Sequence, residues 1–200
     1  LINQRVELCR QNRLKSKDAG GVKLADTPYK FRENWETSVL SIIVPRVFSE
    51  NRDYVTAGIV DQNQIVSDSA FAIYDADLWL FALISSRLHF LWIKTVCGQL
   101  ETRIRYSNTL GWHTFPCKGF NSAQVSLLEQ SAKNILLARE NHYPISIAEL
   151  YKPDLMPSDL RQAHKENDAL INNLYFGVNE IHEESALDLL FEKYVQSLQG

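Results

Sequence analysis

The feature that most constrains the fold of this chain is an almost continuously apolar stretch over residues 78–96. Asp75 or Asp77 can begin a helix there, because a carboxylate accepts hydrogen bonds from the free amides of the first turn. The apolar residues cover nearly every side of that helix, which predicts burial against more than one neighbour. The stretch is no membrane span, since polar residues interrupt it, among them Ser85, Ser86, Arg87, His89 and Lys94.

The region before this helix, residues 38–74, is typical of β-strands. β-branched runs at 39–44 and 54–60, and shorter apolar runs at 65–66 and 71–74, are separated by polar turns. Short strands at such close spacing predict an antiparallel meander. The sheet is expected to pack on the buried helix.

The last part of the chain, after residue 118, is predicted to be helical. Asn121 or Ser122 can cap a long amphipathic helix that ends near Glu140, and further helical patterns follow at 158–175 and 185–198. The predicted fold class is therefore α+β: an antiparallel β meander packed on a central buried helix, followed by a small all-helical C-terminal domain.

Residues 96–116 contain an alternating pattern that predicts a strand with one buried and one exposed face. Leu100, Thr102, Ile104 and Tyr106 alternate there with Glu101, Arg103 and Arg105. A charged face of this kind can read DNA base edges, since Arg is bidentate to guanine and Glu accepts from the cytosine amino group. The alternative is an ordinary exposed strand whose charges pair across the sheet.

The charge of the chain is unevenly distributed. The net charge of −3 does not favour a nucleic-acid ligand, yet residues 87–118 carry five basic residues against one acidic residue. Residues 1–35 carry eight against four, whereas residues 119–200 carry six against twelve. Local surplus sets the field that a phosphate backbone experiences, so the first two regions can meet DNA.

Motifs of catalysis are missing from the sequence. It has no phosphate-binding glycine loop, no G-x-S-x-G, no H-E-x-x-H and no Asn-Pro-Pro-aromatic motif. Cys97 or Ser107 with His89 or His113 is the remaining candidate for a hydrolase pair. A zinc site at Cys97, His113 and Cys117 would lack a fourth ligand.

The cysteines predict the compartment of the protein, and the first residues predict its relation to a longer polypeptide. Three cysteines without a C-x-x-C spacing predict reduced thiols in a cytoplasmic protein. The chain opens with Leu1 and has neither an initiator Met nor a signal peptide, so we expect a piece of a longer protein that has no membrane partner.

Six ordered blocks of sequence resemble the C-terminal part of the type IIL restriction-modification enzymes. They are K-L-A-D-T-P-Y at 23–29, V-P-R-V-F-S-E-N-R-D-Y-V at 44–55, S-D-S-A-F-A-I-Y-D-A-D-L-W-L-F at 67–81, V-C-G-Q-L-E-T-R-I-R-Y-S-N-T-L at 96–110, F-P at 115–116 and I-A-E-L-Y-K-P-D-L-M-P-S-D-L-R-Q-A-H at 147–164. Those enzymes join a nuclease, an adenine-N6 DNA methyltransferase and a target recognition domain in one chain.

The resemblance implies a target recognition domain at residues 1–118, whose first 35 residues connect to an absent upstream methyltransferase core, and a helical domain at 119–200. It implies that the cofactor S-adenosylmethionine, and Mg²⁺ for cleavage if a nuclease is present, bind outside this fragment. Double-stranded DNA and the upstream methyltransferase domain are the implied partners. No catalytic, cofactor-binding or metal-binding residue is assigned within the fragment.

The resemblance also assigns candidate base contacts, to which we add candidates for phosphate contacts. Base reading falls on Glu101, Arg103 and Arg105, with a further contributor at Ser69 or the neighbouring Ala70. Candidates for phosphate contacts that position the DNA without specifying its sequence are Arg46, Arg52, Arg87, Lys94, Ser107, Asn108 and Lys118. The rival hypothesis is a protein-interaction domain without DNA contact, in which the charged strand is an interface stripe.

Two positions depart from the family pattern. Gly111-Trp112-His113 stands where a bulky aliphatic-aromatic pair often follows the S-N-T-L block, and Phe48 occupies a place where a small polar residue is usual.

Overall fold

A computed structural model describes residues 1–32, 35, 37–117 and 119–199 of the chain. These residues divide into two compact units, Leu1–Ser38 and Val39–Gly200. The fold is mixed, with helices and small antiparallel sheets, and the α+β class predicted from the sequence is confirmed.

The unit Leu1–Ser38 contains the helices α1 (Ile2–Leu14) and α2 (Ala19–Lys23), followed by a 3₁₀ turn. The carboxylate of Asp18 caps α2 by accepting hydrogen bonds from the amides of Gly20 and Gly21. The guanidinium of Arg13 donates to the carbonyls of Leu24, Thr27 and Lys30, and thereby fixes the loop that follows the 3₁₀ turn.

The second unit begins with two three-stranded antiparallel sheets. In the first, the strand order is β3-β1-β4, and in the second it is β2-β6-β5. The strands are β1 (Ser41–Pro45), β2 (Val47–Phe48), β3 (Gly58–Val60), β4 (Ala70–Ile73), β5 (Gln99–Leu100) and β6 (Arg103–Arg105). The antiparallel pairing was predicted correctly. However, β1 lies in the centre of the first sheet and β2 belongs to the second, so the strands do not form one continuous meander.

The central apolar stretch forms two helices, α3 (Leu78–Ile84) and α4 (Arg87–Val96), instead of the one helix predicted for residues 78–96. The break lies at Ser85 and Ser86, and the Ser86 hydroxyl caps α4 by accepting from the His89 amide. Burial on several sides is confirmed, since Phe81, Leu83 and Trp92 are at most 1% exposed.

Four helices follow: α5 (Ser122–Glu140), α6 (Ile147–Leu150), α7 (Ser158–Phe176) and α8 (Glu183–Ser197). Asn121 caps α5 in a capping box with Gln124, as the sequence predicts. Helix α3 packs against α5, α5 against α7, and α8 against α4. One hydrophobic core therefore runs from the sheets into the helical part of the chain.

A buried group of polar side chains holds α7 on the break between α3 and α4. A helix break leaves backbone carbonyls without intrahelical donors, and α7 supplies two of the missing donors. The side-chain amide of Asn167 donates to the Ala82 carbonyl at 2.9 Å, and His164 Nδ1 lies 3.2 Å from the Ser85 carbonyl. We call Arg139, Tyr151, His164, Asn167 and Asp168 the polar junction.

The arrangement of hydrogen bonds in the polar junction shows which tautomer His164 adopts. A carbonyl only accepts, so His164 Nδ1 carries the proton and Nε2 accepts from the Tyr151 hydroxyl at 2.6 Å. That hydroxyl accepts in turn from Arg139 Nε at 2.7 Å, and Arg139 Nη1 donates to the Ala57 carbonyl at 2.7 Å. Burial, with a smaller effect of the Arg139 charge, lowers the pKa of His164 to about 3, so the ring is neutral.

Asp168 completes the junction at the N-terminus of α4. Its carboxylate accepts from the Arg87 amide at 2.7 Å and from the Tyr54 hydroxyl at 2.9 Å, and the Tyr54 ring stacks on His164. Burial raises the pKa of Asp168 to about 6.

Candidate functional site

A tight turn joins β5 and β6 into a hairpin at the charged stretch that the sequence indicates. Leu100 pairs with Arg103, so Glu101 and Thr102 alone make the turn. Glu101 has a φ of 58°, the left-handed conformation of a two-residue hairpin turn. That conformation costs an L-residue about 1 kcal/mol or more.

The prediction of one continuous strand is wrong at Glu101, which lies in the turn. Alternation holds only after it, where Arg103 and Arg105 are exposed and Ile104 is buried. Leu100 and Thr102, predicted to be buried, are exposed because the chain reverses direction between them.

Glu101 and Arg103 form an ion pair at the tip of the hairpin. Their side chains lie 2.9 Å apart and are 77% and 49% exposed. Exposed pairs of this kind contribute about 0–1 kcal/mol, because solvent screens them. Both groups can therefore exchange this contact for a ligand at small cost.

Strand order brings Arg46 and Ser69 beside the hairpin. The Arg46 amide donates to the Ser69 carbonyl at 3.0 Å, and the Tyr106 amide donates to the Arg46 carbonyl at 2.8 Å. Arg46 and Ser69 are exposed, and the Arg46 guanidinium lies over the Phe71 ring, 4.6 Å from its centroid. We call Arg46, Ser69, Glu101, Arg103 and Arg105 the hairpin surface.

Three further phosphate candidates lie next to the hairpin in the chain. Lys94 is exposed in the last turn of α4, before β5. Ser107 follows β6, and its hydroxyl accepts from the Leu110 amide at the start of a π-helix, Asn108–Trp112. Asn108 is exposed, and its side-chain oxygen accepts from the Thr109 amide at 3.0 Å.

Two other phosphate candidates, Arg87 and Arg52, form hydrogen bonds within the chain. Arg87 bonds to the Glu183 carboxylate at 2.6 Å and to the Asp53 carbonyl at 2.9 Å. Arg52 donates to the Ala148 carbonyl at 3.3 Å, and burial lowers its pKa. These contacts join the helical part of the chain to the sheet region, so both guanidiniums have partners within the chain. Lys118 lies outside the described residues.

Tyr106 and Gly111 let the end of the hairpin and the loop after it pack against helix α4. The buried Tyr106 hydroxyl lies 3.1 Å from His89 Nε2 on α4. A Cβ at Gly111 would lie 3.0 Å from the Cys97 sulfur and 3.1 Å from an Ile93 methyl, so a larger residue would require a shift. Glycine at this departure from the family pattern therefore lets the loop after β6 approach α4 closely.

The other departure, Phe48, is also explained by packing. Its side chain is 5% exposed, and its ring centroid lies 6.3 Å from that of Phe90 on α4. Phe48 belongs to the core below the second sheet.

One residue near the hairpin surface was missed by the sequence analysis. Glu50 has a lowered pKa because its own backbone amide, then the Thr102 side chain, donate to its carboxylate, with a smaller contribution from the Arg103 charge. No motif or spacing in the sequence links position 50 to the turn, since the link depends on the β2–β6 pairing.

The surroundings of Cys97, Ser107 and His89 do not activate them as the hydrolase alternative requires. Burial raises the pKa of the Cys97 thiol, the opposite of what a nucleophile needs. Burial lowers the pKa of His89 to about 3, and its Nε2 faces Tyr106. The Ser107 hydroxyl accepts from a backbone amide of the π-helix, as described above.

Metal ligands and membrane spans were sought in the described residues. No group of three or more His, Cys, Asp or Glu side chains there could hold a metal ion. Within the same parts of the chain, no helix has the length and apolar character needed to cross a membrane.

Comparison with known proteins identifies two family models along the chain. Residues 1–119 match the model described as "MmeI, target recognition domain", and residues 120–199 match "MmeI, C-terminal domain". DNA methyltransferase A of Bacillus subtilis (strain 168) is 38% identical over 194 residues, which are 97% of this chain and 22% of that protein.

A solved structure is similar over the whole chain. The type IIL restriction-modification enzyme MmeI, in complex with DNA, matches with a TM-score of 0.90 and 34% identity over 100% of this chain and 27% of its own. The chain thus spans about a quarter of the length of these relatives.

Proposed function

The chain belongs to the family of MmeI target recognition and C-terminal domains, and from that membership we propose that it is the DNA sequence recognition part of a longer restriction-modification enzyme. The parent is an adenine-N6 DNA methyltransferase that uses S-adenosylmethionine. Its upstream domain binds this cofactor, and a nuclease, where retained, uses Mg²⁺. The recognition domain ends near residue 118, the helical domain follows, and the enzyme acts in the cytoplasm.

The hairpin surface is the observation that carries this proposal. Glu101, Arg103 and Arg105 are exposed on the turn and on β6, and Arg46 is exposed on the connection that pairs with the end of the hairpin. An exposed β-ribbon can enter the major groove of double-stranded DNA, and Arg and Glu have the donors and acceptors that distinguish base pairs there. The similarity to an enzyme solved in complex with DNA supports the same function.

Within this surface we assign base reading to four residues. Glu101 and Arg103 read one base pair, Arg105 reads a neighbouring one, and Ser69 contributes at the edge. The two side chains are paired at 2.9 Å, so they lie close enough to contact the two bases of one pair once DNA replaces this contact. Each good bidentate contact contributes about 1–3 kcal/mol of discrimination.

The phosphate contacts are assigned to residues that border the hairpin. Arg46, Lys94, Ser107 and Asn108 have exposed or half-exposed side chains in or next to it, and Lys118 remains a candidate from the sequence. We do not assign phosphate contacts to Arg52 and Arg87, whose guanidiniums bond to the helical part of the chain and not to a residue of the hairpin surface.

The decisive experiment exchanges the charges of the proposed readers in the full-length enzyme. The double variant Glu101→Arg, Arg103→Glu is expected to methylate a different DNA sequence, mapped by sequencing of methylated sites. A matched control, Glu129→Lys with Lys133→Glu on α5, preserves net charge and should leave the site unchanged. An active hairpin variant with the original recognition sequence would disprove the base-reading assignment.

The same enzyme distinguishes DNA recognition from protein interaction. Binding of duplex DNA should fall steeply with salt, and Lys94→Ala should reduce the salt dependence by about one phosphate contact without changing sequence preference. Binding that is insensitive to salt and to the charges of the hairpin surface would favour the protein-interaction alternative.

A further inference from the structure

The turn that follows β2, at residues 49–52, lies beside the turn of the hairpin. Strand β2 runs antiparallel to β6, with Phe48 opposite Ile104. The end of β2 is therefore next to the start of β6, and continuing this register places Glu50 opposite Thr102. The two turns thus meet at the same end of the second sheet.

The carboxylate of Glu50 connects these two turns. It accepts hydrogen bonds from its own backbone amide and from the Thr102 side chain, whose hydroxyl is the donor. Thr102 is exposed, whereas Glu50 is half-buried. Packing therefore contributes little to the position of the Thr102 side chain, and this hydrogen bond has a correspondingly larger share in fixing it.

The hairpin turn has a particular need for such a contact. Glu101 has a φ of 58°, and the turn lacks the glycine, asparagine or aspartate that adopts this conformation most readily. A strained backbone conformation persists only where the surrounding structure favours it. The bond to the residue after Glu101 is a contact of this kind.

The turn that carries Glu50 is itself held by the helical part of the chain. The amide of Arg52 donates to the Ser49 carbonyl at 3.3 Å and closes the turn. The Arg52 guanidinium donates to the Ala148 carbonyl on α6 at 3.3 Å, and the Tyr54 hydroxyl donates to Asp168 on α7 at 2.9 Å. The carboxylate in this turn therefore projects from a backbone that is fixed to two helices.

We propose that Glu50 is a positioning residue for DNA reading: its hydrogen bond to Thr102 holds the hairpin turn in the conformation that presents Glu101 and Arg103 to one base pair. Glu50 itself makes no contact with a base. A contacting group that is displaced by about 1 Å loses much of its effect, so a bond within the protein can govern specificity. This inference rests on the proposed function, because it requires that the hairpin reads DNA.

A different route for Glu50 would be the attraction between its charge and Arg103. The Arg103 charge contributes less to lowering the pKa of Glu50 than either hydrogen-bond donor does, which favours the route through Thr102. Glu50→Gln separates the two routes. Its amide oxygen can still accept from the Thr102 hydroxyl, but the side chain carries no charge.

Competition between DNA sites that differ at single positions tests the proposal in the full-length enzyme. Glu50→Ala should reduce discrimination at one base pair about threefold, less than the loss of a reading contact itself, and Glu50→Gln should retain it. Glu129→Ala, which removes a half-buried glutamate from α5, is the matched control and should change nothing. Unchanged discrimination in Glu50→Ala, an equal loss in Glu50→Gln, or a uniform loss at all sites would overturn the proposal.

The partner residue gives a second test of the same bond. Thr102→Val removes the donor and keeps a branched side chain, so it should reduce discrimination as Glu50→Ala does. The double variant should lose no more than either single variant, because both substitutions remove one shared interaction. Additive losses would contradict a role of Glu50 through Thr102.

Hydrogen exchange without DNA distinguishes failure of this inference from failure of the proposed function. In the full-length enzyme, Glu50→Ala should speed the exchange of amides at residues 99–105 at least about threefold and leave those of α5 unchanged. If it does so while the charge exchange at Glu101 and Arg103 leaves the methylated site unchanged, the turn is held as inferred and base reading is wrong. If Glu50→Ala alters neither exchange nor discrimination while the charge exchange changes the methylated site, only the positioning is wrong.

Discussion

The polar junction and the hairpin surface contain similar side chains in opposite surroundings. Arg139 in the junction is 8% exposed and bonds to Tyr151 and the Ala57 carbonyl. Arg103 on the hairpin surface is 49% exposed and contacts a glutamate that is itself mostly exposed. The same guanidinium thus joins elements of the fold in one region and is available to a ligand in the other.

The two regions differ in what the loss of a polar contact costs the free energy of folding. In the junction, a lost partner leaves a buried donor or acceptor unsatisfied, and that is costly. On the hairpin surface, water replaces a lost partner, so substitutions there should change the free energy of unfolding little. Four predictions test this separation, and they follow in order of decreasing effect.

The largest effect is expected for Arg139→Met in the junction. Methionine retains an apolar stem but removes the donors to the Ala57 carbonyl and the Tyr151 hydroxyl. The free energy of unfolding, measured with urea, should fall by about 2–4 kcal/mol. Arg103→Met is the matched control and should change it by less than about 0.5 kcal/mol. Equal losses in the two variants would remove the distinction between the regions.

Acidification should destabilise the fold through its buried histidines. Burial lowers the pKa of both His89 and His164 to about 3, whereas an unfolded His has a pKa near 6.5. The folded state therefore binds fewer protons between these values, and stability is lost as the pH falls below about 6.5.

The protonation of Asp168 partly offsets this loss of stability. Burial raises its pKa to about 6, so the folded state binds an extra proton between about pH 4 and 6 and gains stability there. Two histidines outweigh one aspartate, and the net loss from pH 7 to pH 5 should be about 2 kcal/mol. Urea unfolding at both pH values measures it. His164→Gln should flatten most of the pH dependence, whereas constant stability of the unaltered chain from pH 7 to pH 5 would contradict the prediction.

Arg103→Ala should change recognition and leave stability unchanged. Loss of a bidentate contact should reduce discrimination at one base pair about tenfold, measured in the full-length enzyme by competition between DNA sites that differ at single positions. A uniform loss across all sites would instead indicate that Arg103 contacts phosphate.

The smallest effect concerns the turn. Glu101→Gly removes the cost of a left-handed L-residue but adds backbone entropy to the unfolded chain, so a net gain of about 0.5 kcal/mol in unfolding free energy is expected. Urea unfolding of the isolated chain measures it. A destabilised variant would show that the Glu101 side chain contributes to folding as well as to the proposed base contact.

Periodicity predicts the fold class because long apolar patterns dominate burial. It does not predict the break at Ser85 and Ser86, since serine is tolerated in helices. The carbonyls freed there are satisfied by Asn167 and His164, about 80 residues further along the chain. A local pattern contains no information about such distant donors.

The candidate site was predicted in part. The exposed positions of Arg103 and Arg105 follow from alternation, but the Glu-Thr turn lacks the Asn, Asp or Gly that usually marks a hairpin. The hydrogen bonds of Arg52 and Arg87 could not be predicted from the sequence, because their partners, Ala148 and Glu183, lie 96 residues away. The proximity of Ser69 and Arg46 depends on backbone contacts between distant strands.

The break between α3 and α4 has a consequence for how such proteins diverge. The helix that satisfies its carbonyls belongs to the segment matching the C-terminal family model, whereas the break itself lies in the segment matching the target recognition model. An exchange of segments between relatives near residue 119 must therefore carry a compatible Asn167 and His164. Substitutions confined to the hairpin tip meet no such requirement, because the Glu101–Arg103 pair there is exposed to solvent.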